Sequence, residues 1–127
     1  MIESPFTVPT DQLKLDAKDG VAPGQRVITL TGVLTISTLF AFQEFAHSDK
    51  SESLIVDLSG VPYIDSAGLG SLISAYVSRE REARKMVLAA VNDRVKLVMT
   101  VSGVDQLFQS YSTVDEAEKT LSAASGK

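Results

Sequence analysis

Two short runs of almost wholly apolar residues constrain the possible folds most strongly. Residues 54–58 and 86–91 lack the polar-apolar alternation of a half-exposed strand, and polar or turn-forming residues bound each run. This pattern is typical of strands buried on both faces of a sheet. Between the runs, apolar side chains recur with the spacing of an amphipathic helix, at Leu69, Leu72, Ile73, Tyr76 and Val77. Strand, helix and strand within about 38 residues predict one right-handed βαβ unit with parallel strands.

The central helix ends in a run of mixed charge. Residues 79–84 read Arg-Glu-Arg-Glu-Ala-Arg, with most of the cations toward the end of the helix. Cations there interact favourably with the negative end of the helix dipole. We therefore expect a solvent-exposed last turn, and a basic contact patch for an acidic partner is the less favoured interpretation.

Segments before this unit predict a hairpin and a short helix. Residues 13–17 and 26–30 alternate in polarity, and Asp-Gly and Pro-Gly pairs lie between them. Alternation broken by such turn residues predicts a β-hairpin, which we place at the edge of the sheet. Thr38 can then cap a helix over residues 39–47, with Phe42 and Phe45 directed inward.

The segments after this unit continue the alternation of helices and strands. Asn92 or its neighbour can cap a third helix, and Gly103 lies where a helix end favours a left-handed residue. Residues 107–108 open a short last strand. Thr113 and Glu116 have the spacing of a capping box for a final helix. The order β-β-α-β-α-β-α-β-α predicts an α/β domain with a mixed sheet.

Composition removes several classes of function. The 127 residues suffice for one core, so we expect a single domain over 1–127, with its core at about 10–121 and loose ends at 1–9 and 122–127. Without cysteine, and with His47 as the sole histidine, thiol chemistry and multi-histidine metal sites are excluded, and we expect no metal or cofactor. A net charge of −4 disfavours nucleic-acid binding. The sequence has no membrane-length apolar run and no signal-peptide pattern, so we expect a cytoplasmic protein without membrane contact.

The turn that follows the first buried strand is the candidate functional segment. It covers residues 60–70, and it lies at the carboxyl edge of the sheet, where ligands and partners of open α/β sheets usually dock. Ser66 falls at the start of the helix, so its hydroxyl is expected near solvent and near unpaired N–H groups. A phosphate there would lie at the positive end of the helix dipole, with Asp65 beside it to repel the added charge or to bind the neutral hydroxyl. Gly68 and Gly70 are expected to leave the surface around Ser66 open.

Other interpretations of this turn remain. Ser66 can be a simple helix cap worth about 1 kcal/mol, and the glycines can serve the backbone alone. A nucleophile elbow is excluded because Ile64 occupies the position of its first glycine. A phosphate-binding P-loop is excluded because no Lys-Ser/Thr pair follows Gly70. A catalytic triad of Ser66 with His47 and an aspartate is disfavoured, since His47 is expected on a polar helix end.

Three stretches of the chain form a recognisable pattern: SLIVDLSGVPYIDSAGLGSLISAY, KMVLAAVNDRVKLVMTVSGVDQLF and the acidic helix start STVDEAEKTL. They resemble the STAS family, the anti-anti-sigma factor domains of bacterial sigma-factor regulation, and the hairpin with ITLTGVL is similar to the family's first strands. The resemblance covers roughly residues 10–121. It implies the STAS fold, a mixed sheet with helices packed mainly on one face and an N-terminal edge hairpin.

The resemblance also implies a function, that of a non-enzymatic anti-sigma factor antagonist. The unphosphorylated protein would bind an anti-sigma factor that is also a serine kinase, phosphorylation of Ser66 would release it, and a phosphatase would reset it. Physically this is a charge switch within a docking surface. We expect a monomer or weak homodimer whose partner-binding residues are Asp65, Ser66, Ala67, Gly68, Leu69, Gly70 and Thr35.

Two departures from the family pattern keep alternatives open. Kinase-regulated members usually have aspartate in the turn after the second strand, where this chain has Thr35, and often a hydroxyl residue where it has Ala67. The first departure favours a second hypothesis, a scaffold or adaptor in a signalling or transport assembly that binds without phosphorylation. A third hypothesis, a nucleotide- or ligand-binding module, has no phosphate-binding motif to support it.

Overall fold

A computed structural model describes residues 13–125 and shows five strands and four helices in the predicted order. The first part of the chain forms β1 (Lys14–Asp19), β2 (Gln25–Thr31), α1 (Leu39–Ser48), β3 (Ser53–Gly60) and α2 (Ser66–Arg81). The second part forms β4 (Lys85–Ala89), α3 (Asp93–Val101), β5 (Ser110–Tyr111) and α4 (Val114–Ser125). The predicted α/β class is confirmed.

The five strands form one mixed sheet in the spatial order β1-β2-β3-β4-β5. The hairpin pairs β1 with β2 in antiparallel fashion, from Lys14 opposite Thr31 to Asp19 opposite Arg26. The remaining neighbours are parallel. The hairpin therefore lies at the sheet edge, as predicted, and β3-α2-β4 is the predicted βαβ unit.

Both faces of the central strands are buried, which explains the two apolar runs. Leu54, Val56 and Leu58 of β3 belong to a core beneath α1, α2 and α3, whereas Ile55 belongs to a second core beneath α4. Successive side chains of a strand point to opposite faces, so a strand covered on both sides has no polar position to alternate with. Three helices thus cover one face and α4 covers the other.

The last strand begins later than predicted. β5 consists of Ser110 and Tyr111, and residues 107–108 precede it. Phe108 is buried, and its ring meets that of Tyr76 edge to face, with centroids 5.4 Å apart. The apolar residues 107–108, which suggested the start of a strand, therefore belong to the loop before β5, where Phe108 packs into the core.

Two predicted helix caps differ in their hydrogen bonds. Thr38 precedes α1 but makes no side-chain bond to the helix. Its Oγ1 donates to the Val33 carbonyl (2.8 Å) and accepts from the Thr35 N–H (2.9 Å), so it closes the preceding turn. At α4, Thr113 Oγ1 accepts from Glu116 N–H (3.0 Å), but the Glu116 carboxylate accepts from Ser112 N–H (2.9 Å) rather than from Thr113.

The C-terminal helix extends further than predicted. Residues 122–125 belong to α4, and Gln25 Nε2 donates to Ser122 Oγ (3.0 Å) and to the Glu118 carbonyl (3.1 Å). The buried Gln25 thus connects α4 at Glu118 and Ser122 to the start of β2. The predicted loose end at 1–9 and residues 126–127 lie outside the described residues.

The charged end of α2 contains a buried arginine, contrary to the prediction of a wholly exposed turn. Arg79 is 3% exposed. Its guanidinium donates to Asp49 Oδ2 (3.1 Å), to the Ser51 carbonyl (2.6 Å) and to the Lys85 carbonyl (3.1 Å). Burial lowers the pKa of Arg79, and the adjacent Asp49 carboxylate opposes that shift. Because its donors are paired, the charge can be buried at the junction of α2, β4 and the loop before β3.

Candidate functional site

The candidate site lies where the chain leaves β2 and β3 at the carboxyl edge of the sheet. Beyond the strands, Leu34 and Ile64 form an isolated parallel bridge. Leu34 N–H donates to the Tyr63 carbonyl (3.2 Å), and Asp65 N–H donates to the Leu34 carbonyl (3.3 Å). These bonds join the two loops and bring Thr35, which follows Leu34, beside the turn that contains Ser66.

Asp65, not Ser66, caps helix α2. Its Oδ1 accepts from Gly68 N–H at 2.7 Å, and its Oδ2 accepts from Ile36 N–H at 3.1 Å. One carboxylate therefore satisfies a free N–H of the helix and holds the preceding loop in place. Its negative charge lies at the positive end of the helix dipole, which is its favourable position. The interpretation of Ser66 as a simple cap is wrong for this reason.

Ser66 is the first residue of α2 and is exposed to solvent. Gly70, one turn later, is also exposed, while Ala67 and Thr35 are half-buried. Since Asp65 supplies the cap, folding of the helix does not depend on the Ser66 hydroxyl. That hydroxyl is open to contact from solvent and lies next to the Asp65 carboxylate.

Gly68 and Leu69 lie beneath this surface rather than on it. Both are buried. A Cβ on Gly68 would lie 2.0 Å from the Leu34 carbonyl oxygen, so the glycine permits the close approach of the first turn of α2 to the loop that follows β2. The expectation that Gly68 opens the surface around Ser66 is therefore wrong, whereas nothing lies within 4 Å of a Cβ built on Gly70.

Exposed apolar residues flank the site, and sequence reasoning did not assign them to it. Ile36, whose N–H is held by Asp65, is 70% exposed, and Phe40, four residues later, is 66% exposed. Tyr63 is 39% exposed, with the Arg94 guanidinium 5.5 Å from its ring centre. Phe40 could have been noticed because it is out of phase with the buried stripe of α1 that contains Phe42.

The catalytic and metal alternatives find no support in the described part of the chain. His47 is exposed in the last turn of α1, and it lines a groove of about 250 Å³ with Ser71, Ser74 and Ser78 rather than with Ser66. Residues 13–125 contain no group of three His, Cys, Asp or Glu side chains placed to hold a metal ion. No described helix is long and apolar enough to span a membrane.

Replacing Asp65 by alanine is expected to lower the free energy of unfolding by about 2 kcal/mol. The change removes a helix cap and a charged acceptor of a second N–H. Asp65→Asn retains one carbonyl oxygen and should lose about half as much. Urea unfolding measures both, and equal stability of Asp65→Ala and the wild type would contradict the bridging role.

The chain is similar in sequence to proteins of one known family. The family model described as STAS domain matches residues 12–117. A Thermotoga neapolitana protein named as a candidate anti-sigma factor antagonist is 31% identical over 78 residues, which cover 61% of this chain and 68% of that protein.

Two solved structures are similar in fold. An anti-sigma factor antagonist from Mycobacterium paratuberculosis superposes with a TM-score of 0.74 at 22% identity, over 94% of this chain and 97% of the other. The Bacillus cell fate determinant SpoIIAA in its phosphorylated form superposes with a TM-score of 0.68 at 18% identity, over 85% and 99%. At these identities the two structures establish the shared fold alone.

Proposed function

The chain belongs to the STAS domain family, and from that premise we propose that it is an anti-sigma factor antagonist switched by phosphorylation of Ser66. One observation carries the proposal: Ser66 is exposed at the start of a helix that a neighbouring aspartate already caps. A partner can therefore contact the hydroxyl, and an enzyme can modify it, without loss of the cap. The name of the Thermotoga relative supports the antagonist role.

The unphosphorylated site offers a partly apolar surface with a neutral hydroxyl at Ser66. Ser66 and Gly70 present small groups, and the loop held by Asp65 exposes the apolar side chain of Ile36, with Phe40 exposed four residues later. Large exposed apolar side chains next to a polar site are typical of protein contacts. We assign this surface to the anti-sigma factor, which in this proposal is also the serine kinase that modifies Ser66.

The remaining residues of the expected site act from behind the surface. Asp65 positions the loop and the helix, Gly68 permits their contact, and Leu69 fills the core below. Ala67 is half-buried, so it offers little contact area. Thr35 lies at the rim of this surface, in the loop after β2, and its Oγ1 accepts from Ser37 N–H at 3.3 Å.

Phosphorylation would add a strong negative charge to this surface. A phosphoserine adds about −1.5 to −2 charge at pH 7. At Ser66 that charge would lie next to Asp65, whose carboxylate oxygens are both engaged with backbone N–H groups. A partner surface shaped for a neutral hydroxyl would have to desolvate this charge without a counter-ion, so we propose that the complex dissociates and that a phosphatase restores binding. The chain itself needs no catalytic group for this role.

Phosphorylation in vitro tests the proposal directly. Incubation with a kinase-type anti-sigma factor encoded beside the gene and ATP should add one phosphate, which mass spectrometry should locate on Ser66. The Ser66→Ala variant should remain unmodified under the same conditions. An unmodified wild-type chain, with the kinase active on a control substrate, would contradict the proposal.

Charge at position 66 should control affinity for that partner. Ser66→Glu is expected to weaken binding at least about tenfold because it buries an unpaired negative charge in the contact. Ser66→Ala should stay within about threefold of the wild type. Ser78→Glu adds the same charge at an exposed position about three turns further along α2, and it should change affinity little. Titration calorimetry distinguishes these outcomes.

The scaffold hypothesis makes the opposite prediction. Thr35 favours it, because this chain has no carboxylate at that position of the rim. A constitutive scaffold should bind its partner equally well as Ser66→Ala and as Ser66→Glu. Equal affinities for the two variants would therefore contradict the phosphorylation switch and support the scaffold hypothesis.

A further inference from the structure

Strand β1 offers an open sheet edge. Among the described residues it pairs with β2 alone, and all of its side chains except that of Leu15 are exposed. A six-residue edge strand whose outward N–H and C=O groups pair with no other described strand can hydrogen-bond to a strand of another molecule. We propose that this edge binds a second copy of the chain through antiparallel pairing of the two β1 strands.

The charges of β1 complement themselves in one pairing register. Antiparallel strands related by a two-fold axis place residues of the same parity opposite each other. With the axis at Leu15, Lys14 lies opposite Asp16 of the second copy, and the symmetry produces this pair twice. With the axis at Asp16, Lys14 would instead oppose Lys18, and the two Asp16 carboxylates would oppose each other, which is destabilising.

The other face of β1 favours the same register. Leu13 and Leu15 are partly buried against the core beneath α1, α2 and α3. With the axis at Leu15, the two Leu15 side chains meet, and Leu13 lies opposite Ala17 of the second copy. An axis at Ala17 would also pair Asp16 with Lys18, but it would place Leu15 opposite Asp19. The register centred on Leu15 therefore pairs opposite charges on one face of β1 and apolar side chains on the other.

The result would be one continuous sheet that joins the five strands of each copy, with the two Ser66 sites at opposite edges because the copies run antiparallel. Pairing over about five residues buries much less than a standard protein interface, so the dimer is expected to be weak and concentration-dependent. It does not rest on the proposed phosphorylation, since β1 carries none of the residues of the Ser66 site.

Charge exchange tests the dimer. Sedimentation equilibrium of the full chain from about 10 μM to about 1 mM should show self-association that weakens with salt. Lys14→Glu and Asp16→Lys should each weaken it at least about tenfold, because each makes both cross-strand pairs repulsive. An equimolar mixture of the two variants should associate again, since the carboxylate introduced at position 14 of one copy then faces the ammonium introduced at position 16 of the other. The control Lys18→Glu should have little effect, as no described residue of the second copy lies opposite Lys18 in this register.

Single cysteines identify the register, because the natural chain contains none. Under mild oxidation Leu15→Cys should form a disulfide-linked dimer, since cross-strand Cβ atoms at the axis lie within reach of one another. Ala17→Cys should not, because its two copies would be about 14 Å apart along the strands. A monomer at all concentrations, or cross-linking by Ala17→Cys in place of Leu15→Cys, would overturn the proposal.

Discussion

Gly68→Ala is expected to destabilise the protein by about 3 kcal/mol. The new Cβ would lie 2.0 Å from the Leu34 carbonyl oxygen and 2.7 Å from its carbon. These are backbone atoms of a residue that is hydrogen-bonded to Tyr63 and Asp65. The loop that contains Leu34 therefore cannot move away from the start of α2 without loss of hydrogen bonds. Overpacking against a fixed backbone has costs of this size. Urea unfolding should show a lower midpoint with an unchanged slope.

Gly70→Ala is the matched control for this substitution. Gly70 lies in the same helix, and a Cβ there meets no atom within 4 Å. Alanine should therefore stabilise the protein by about 0.5–1 kcal/mol, since glycine is unfavourable in a helix interior. If both variants shift stability in the same direction, the close approach at Gly68 does not determine the effect.

Arg79→Met is expected to cost about 3–5 kcal/mol. Removal of one partner of a buried ion pair leaves the other charge uncompensated, which is the origin of losses of this size. Here Asp49, with a side chain that is 6% exposed, would be left with the more distant Arg26, whose Nε lies 4.0 Å from Asp49 Oδ1. The Ser51 and Lys85 carbonyls would each lose a donor. Urea unfolding again measures the change.

Arg81→Met provides the control two residues later. Arg81 belongs to the same charged segment but is exposed, so its replacement should alter the free energy of unfolding by less than about 0.5 kcal/mol. Asp49→Asn should resemble Arg79→Met, because it removes the other charge of the pair. Similar losses for Arg79→Met and Arg81→Met would show that burial of the pair is not the cause.

The order of elements was predictable because its signals are local. The apolar runs of β3 and β4 mark strands covered on both faces, and the stripe that contains Leu72 marks the helix between them. The strand-to-helix turn before Ser66 was predictable for the same reason, since its residues are neighbours in sequence.

The cap of α2 and the burial of Arg79 were not predictable, because both depend on residues that are far apart in the sequence. Asp65 and Ser66 are both good N-cap residues, and the choice is settled partly by Ile36 N–H, 29 residues away. From the sequence, burial of Arg79 could not be distinguished from the exposure of its charged neighbours, because its partner Asp49 lies 30 residues earlier. The pattern of residues within one helix or strand cannot predict a contact between residues this far apart in the chain.

Under the proposed function, the clamping of α2 at both ends would restrict how an enzyme recognises Ser66. Asp65 holds the start of the helix and Arg79 holds its end, so the serine is presented in a helical backbone rather than in an extended one. An enzyme that modifies it must accept a folded surface, not a strand-like peptide laid into a groove. Selectivity among chains that share the same short motif then rests on the shape of the surrounding surface, to which Ile36 and Phe40 contribute.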